Sequence, residues 1–248
     1  MRKYCVTKYG LVIILVFIKL QACSSIQQAP QKSPTPPSTE NPTLIPTATP
    51  KPPTTPTATP NTGATQQYET FFSLIQEYSD SGYIPSMAGS YHLLDDYSNS
   101  YAKDGYLQWS TLGMNVENFV IKTQITMSTA NNASIRTGCG MEFRESRDNV
   151  LQTVIIQQNG KASFFQNGYK LTAQYFGKIT NPEGFIFVLI ANGPNLHLFI
   201  DGKQALVFEM PKSVKTLPGN LGFAVMSGSN EDFGSRCDFK NTQLWVIN

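Results

Sequence analysis

The sequence predicts an all-β sandwich or barrel, carried behind an export signal and a proline-threonine tether. Three observations predict it. Residues 91–248 read as about ten short runs rich in β-branched and aromatic residues, each bounded by turn residues. The stretch "NLHLFIDGKQALVFEM" (195–210) sets two apolar runs around Asp201-Gly202, a dipeptide suited to a two-residue hairpin turn. Residues 30–63 are mostly proline and threonine with almost no large apolar side chain, and they separate the β-rich part from the apolar start.

Taken in order, residues 1–22 read as a lipoprotein signal peptide. Arg2, Lys3 and Lys8 form a basic start, followed by the apolar "LVIILVFI" (11–18). That run is too short to cross a bilayer as a helix, which takes about 20 residues, but it suits a signal. It ends in "LQAC" (20–23), which resembles the lipobox of bacterial lipoproteins, with Lys19 as a departure from that pattern. The resemblance implies cleavage before Cys23, lipid on that cysteine and a place in the cell envelope, outside the cytoplasm. An ordinary cleaved signal with a chance cysteine is the alternative.

Export changes the charge. The whole chain carries +2, which becomes −2 once the four basic residues of the signal (Arg2, Lys3, Lys8 and Lys19) are gone. No electrostatic footprint for nucleic acid remains. Cys5 leaves with the signal and Cys23 takes lipid, so Cys139 and Cys237 are left. An oxidising compartment favours a disulfide between them. A catalytic thiol is the rival, and His92 and His197 are the only histidines to serve it.

Residues 23–64 form a disordered tether that cannot bury enough apolar surface to offset its ordering entropy. "PTATP" occurs twice, at 46–50 and 56–60. Proline biases such a chain to polyproline II at ~3.1 Å per residue, so its reach is roughly 100 Å. The composition also suits a glycosylated stalk.

The folded domain is expected over residues 65–248, opening with a helix at 66–79. Tyr68, Phe71, Phe72, Ile75 and Tyr78 recur at helical spacing, Thr65 suits a cap, and Gly82 and Pro85 end the run. "FIFVLIA" (185–191) is apolar at every position, which implies a strand buried on both faces. The helix is the amphipathic element available to cover it.

Five segments then carry a resemblance: "GCGMEFRES" from Gly138, "FIFVLIANG" from Phe185, "LHLFIDGKQ" from Leu196, "PGNLGFAV" from Pro218 and "CDFKNTQLWVI" from Cys237. Their order resembles the concanavalin A-like lectin/glucanase (laminin G-like, family-16-hydrolase-like) jelly roll found on bacterial surface lipoproteins. The resemblance implies a two-sheet antiparallel jelly-roll sandwich. It also implies sugar-directed function, either binding or hydrolysis.

The residues favour binding. No carboxylate run of the E-x-D-x-x-E kind occurs. In "EFRES", strand alternation sends Glu142 and Glu145 to opposite faces, too far apart for a hydrolytic pair. No nucleophile elbow or zinc spacing occurs, so no catalytic or metal residue is assigned. Loops "DDYSNSYAKD" from Asp95 and "SGSNEDF" from Ser227 offer oxygens to calcium without the dense carboxylates of a strong site. Alternation assigns Leu107 and Trp109 to the core. It leaves Tyr106, Gln108, Glu142, Arg144 and His197 facing outward as candidate ligand-binding residues on one concave sheet. Ordinary solvent-facing strand positions are the alternative. The reading is a lipid-anchored, extracytoplasmic, non-catalytic module that recognises carbohydrate. A glycoside hydrolase-like enzyme and a structural or protein-interaction envelope lipoprotein are its rivals.

Overall fold

A computed structural model describes residues 62–130, 136–145, 151–181, 183–211 and 216–248. The signal, Cys23 and most of the tether lie outside the described residues. Among these residues one helix, α1 (Thr62–Asp80), precedes thirteen strands. They are β1 (Gly89–Leu94), β2 (Tyr97–Tyr101), β3 (Leu107–Val116), β4 (Phe119–Thr129), β5 (Gly138–Glu145), β6 (Gln152–Gln157) and β7 (Lys161–Gln166). There follow β8 (Tyr169–Tyr175), β9 (Phe185–Asn192), β10 (Asn195–Ile200), β11 (Lys203–Glu209), β12 (Gly219–Met226) and β13 (Ser235–Ile247).

The strands build two antiparallel sheets, the jelly-roll sandwich expected. The first runs β1-β13-β4-β9-β10-β11, with β2 also paired to β13. The second runs β3-β12-β5-β6-β7-β8. Alternation turns one face of each sheet inward. Phe119, Phe143, Phe164, Phe187, Phe223 and Phe239 meet there, all fully buried. Phe223 and Phe239 stack across the sheets at 4.2 Å between ring centroids. Cys139 of β5 and Cys237 of β13 form a disulfide that ties the second sheet to the first, with Cα atoms 5.8 Å apart. In the chain-entropy model, closing a loop of that length contributes up to ~4.7 kcal/mol.

The Asp201-Gly202 turn joins β10 to β11, and both residues have positive φ, 49° and 75°. That is the backbone a two-residue hairpin turn requires. Leu196, Leu198 and Ile200 point into the core as expected.

The helix runs four residues earlier and one later than the 66–79 expected. Gly82 ends it at φ 75°, where the Tyr83 and Ile84 amides donate to the Tyr78 carbonyl at 2.9 and 3.4 Å. α1 lies on the outer face of the first sheet. Phe71, Ile75 and Tyr78 form a second apolar cluster with Val188 and Ile190 of β9, Val120 of β4, Phe199 of β10 and Trp245 of β13. β9 is thus buried on both faces, inward by Phe187 and Leu189 and outward by Val188 and Ile190.

Two expectations about elements change. Strand pairing begins at Gly89, before the Tyr91 expected, and β2 takes Tyr97–Tyr101 out of the middle of the first proposed calcium loop. The rest of that loop meets the second one: the Asp104 amide donates to Asn230 Oδ1 at 2.8 Å and the Lys103 amide to Ser227 Oγ at 3.2 Å.

Candidate functional site

The outer face of the second sheet carries a cleft of about 330 Å³. It is built by register. Trp109 of β3 sits opposite Ala224 of β12, and Ala224 sits opposite Gly140 of β5. The next rows place Met226 beside Leu107, and Thr153 of β6 beside Phe165 of β7. In the middle of this face Ala224 and Gly140 leave room for Ile155 of β6, which pairs with Gly140 and is fully buried. At Gly140 a Cβ would collide with the Val154 carbonyl oxygen, so the strand backbones approach closely there. Large side chains also line the cleft's edges: Leu107, Trp109 and Met226 on one side, Leu151 and Phe165 on the other. Thr153 and Asn167 add polar groups. Asn167 accepts the Leu151 amide on Oδ1 at 2.8 Å, which leaves its Nδ2 for solvent or a ligand.

This arrangement corrects the assignment of Leu107 and Trp109 to the core. Trp109 is 36% exposed and lines the cleft. The inward positions are Gln108 and Ser110, opposite Val225 and Phe223 of β12. Ser110 Oγ accepts the Tyr97 hydroxyl at 2.5 Å, so Tyr97 and Phe223 fill the core space that Trp109 was expected to take. Gln108 is nevertheless exposed, because β3 is an edge strand. Tyr106 stands just before β3, 55% exposed, with the Lys103 ammonium 3.8 Å from its ring centre.

The acidic pair also departs from expectation. Asn220 of β12 pairs with Glu145 and Gly222 with Glu142, so one β12 residue faces two of β5. This is a β-bulge, with Arg144 at φ 57°. The extra residue restores Glu142 and Glu145 to one face, and the two carboxyl groups interact. Glu142 is fully buried, and among the described residues neither of its oxygens accepts a hydrogen bond as a carboxylate. Burial pushes its pKa up to about 8, with the charge of Glu145 and a hydrogen bond to it adding to the rise. A protonated Glu142 is the form that can donate such a bond.

Arg144 does not face outward with Glu142, as alternation implied. The bulge turns its side chain into the sandwich, where it is fully buried. It donates to the carbonyls of Glu117 and Gly193, both at 2.9 Å, and to Gln152 Oε1 at 3.3 Å. It therefore clamps the β3–β4 and β9–β10 connections to β6. His197 lies on the other side of the molecule, on the outer face of the first sheet, against the Tyr83 ring at 4.8 Å. Burial lowers its pKa, and its Nδ1 has no hydrogen-bond partner among the described residues. The five residues expected on one sheet thus divide: Tyr106 and Gln108 at the β3 edge, Glu142 beneath the face, Arg144 inside and His197 opposite.

Sequence reasoning missed Leu107, Trp109, Phe165, Asn167 and Met226. It also missed the bulge, although "PGNLG" held a signal for it: at Gly219 a Cβ would run into the Arg144 backbone.

No protein-family model and no curated protein matches the sequence. Solved structures similar to the chain include carbohydrate-binding module CBM66 from Bacillus subtilis, at 14% identity over 62% of this chain and 94% of that one, with TM-score 0.45. A Bacillus subtilis protein of unknown function with galectin-like fold is similar at 10% identity over 65% and 89%, with TM-score 0.46. Bacillus licheniformis β-glucanase is similar at 7% identity over 64% and 92%, with TM-score 0.43.

Proposed function

We propose that the domain is a carbohydrate-binding module, non-catalytic, held outside the cytoplasm by lipid on Cys23 and lifted from the membrane by its proline-threonine tether. The observation that carries the binding reading is the Trp109 cleft. A sugar ring offers apolar C–H faces and a polar rim, and the cleft offers Trp109 and Phe165 for the first, Thr153 and Asn167 for the second. A glycan array of the soluble domain should find a ligand, and Trp109→Ala should weaken it at least about tenfold, or ~1.4 kcal/mol. An array without binding, or a variant that binds unchanged, would overturn the reading.

One observation favours a second reading, that of a glycoside hydrolase-like enzyme. Glu142 and Glu145 share a face, and the pKa of Glu142 is high enough to keep it protonated near neutral pH. A general acid in glycoside hydrolysis needs that state. Release of reducing ends from the array ligand, abolished by Glu142→Gln, would establish it. The third reading, an envelope lipoprotein that serves structure or protein contact, requires that neither binding nor hydrolysis occur.

A further inference from the structure

The opposite face of the sandwich carries a separate hollow of about 480 Å³, between α1 and the outer face of the first sheet. Its floor is Lys122 and Gln124 of β4 with Asn241 and Gln243 of β13, and its wall is Gln66 and Gln67 of α1. The alternation of β4 explains the place. Val120 on this face packs into the helix cluster, and the next residues on the same face, Lys122 and Gln124, fall where the apolar contact gives out. Pairing puts Lys122 directly opposite Gln243.

Three properties define what fits. Lys122 is half-buried and has no ion-pair or hydrogen-bond partner among the described residues. Burial lowers its pKa below the ordinary lysine range. No acidic side chain lines the hollow among the described residues, so a partially desolvated ammonium stands there uncompensated. The two buttressed amides are oriented. Gln243 Nε2 donates to the Gln67 carbonyl at 3.0 Å and to the Tyr91 hydroxyl at 3.2 Å, and Gln124 Nε2 donates to the Glu183 carbonyl at 3.1 Å. Gln243 has spent both N–H donors on the protein and Gln124 one of its two, and each keeps its Oε1 as an acceptor. The ligand that fits brings one anionic group for Lys122 and hydroxyls that donate to the amide oxygens and accept from the remaining Gln124 N–H. Phosphate and sulfate bring the charge with few or no donors. A neutral sugar brings donors without the charge.

We propose that this hollow binds a small polyhydroxylated carboxylate, of the sugar-acid class, with its carboxylate on Lys122 and its hydroxyls on Gln124 and Gln243. Such a group occurs free and as a uronate unit of a polysaccharide, and both share this chemistry. The site stands apart from the Trp109 cleft and does not depend on its function.

Calorimetry on the purified full chain tests it, with sodium glucuronate, glucose, inorganic phosphate and trigalacturonate as probes. Glucuronate should bind saturably, with glucose and phosphate at least tenfold weaker. Lys122→Met should erase the preference for glucuronate over glucose, while Trp109→Ala leaves it in place. Gln124→Leu should weaken glucuronate severalfold with its charge contact intact, and it serves if Lys122→Met does not fold. Trigalacturonate binding at least as tightly as glucuronate assigns the site to a polymer, and binding of the monomer alone assigns it to free acid. The proposal is overturned if neither acid binds, if phosphate binds as well as glucuronate, or if Lys122→Met (or Gln124→Leu in its place) retains the full preference.

Discussion

Burying a carboxyl group without donors to meet it costs stability unless the group takes up a proton, and Glu142 is in that position. Its folded pKa of about 8 lies above the ordinary carboxyl value of 4.5. Between those limits the native state holds a proton that the unfolded chain has released, so stability falls as pH rises through that window. Each pKa unit corresponds to about 1.4 kcal/mol, so the loss by pH 9 is on the order of a few kcal/mol. Glu142→Gln removes the titration and keeps the shape. Urea melts should show the variant level with the parent near pH 4.5 and clearly more stable at pH 9; equal midpoints at both would mean that Glu142 is solvated. Arg144, two residues on, shows how far this neighbourhood was legible. Alternation read Met141 and Phe143 as inward and Glu142 as outward, and their faces agree. It failed at Arg144, because a bulge shifts the period and "EFRES" contains no glycine or proline to announce one. The signal sat on the neighbouring strand, at Gly219, where pairing is needed to see it.

At the scale of elements, α1 was the most legible part. A strand apolar on both faces demands a cover, and the amphipathic run at 66–79 was the one to supply it. Phe71 is fully buried and Phe72 only partly. Phe71→Ala should therefore cost about 3–5 kcal/mol, and Phe72→Ala distinctly less. Equal, small shifts of the two urea midpoints would show that α1 does not pack in solution. β3 was misread for an instructive reason. Its apolar residues fall in two phases, Leu107 and Trp109 against Leu112, Met114 and Val116. The two sets cannot face the core together on a regular strand. The later three do so, with Gly113 at φ 69° beside the shift in pairing. Reading only "YLQW" saw the first phase and sent Trp109 to the wrong side. The cleft was invisible for the same cause: it joins β3, β6, β7 and β12, and their order in the sheet is set by pairings that no local pattern encodes.

For the whole molecule, the signal and tether proposed from the sequence carry the prediction on anchoring. Cys23→Ser should move the protein from the membrane fraction to the soluble one; if it stays with the membrane, "LQAC" is not a lipidation site. The place of β13 has a consequence for the proposed export. It is the last of the described strands in chain order, yet β1, β2 and β4 all pair with it, and Cys237 within it holds Cys139. If the chain leaves the cytoplasm amino end first, as proposed, those three strands emerge long before their common neighbour, and Cys139 would meet an oxidising compartment before its partner Cys237. The first sheet would then be unable to close until β13 arrives, and that arrival would be the step that allows both the sheet and the disulfide to form.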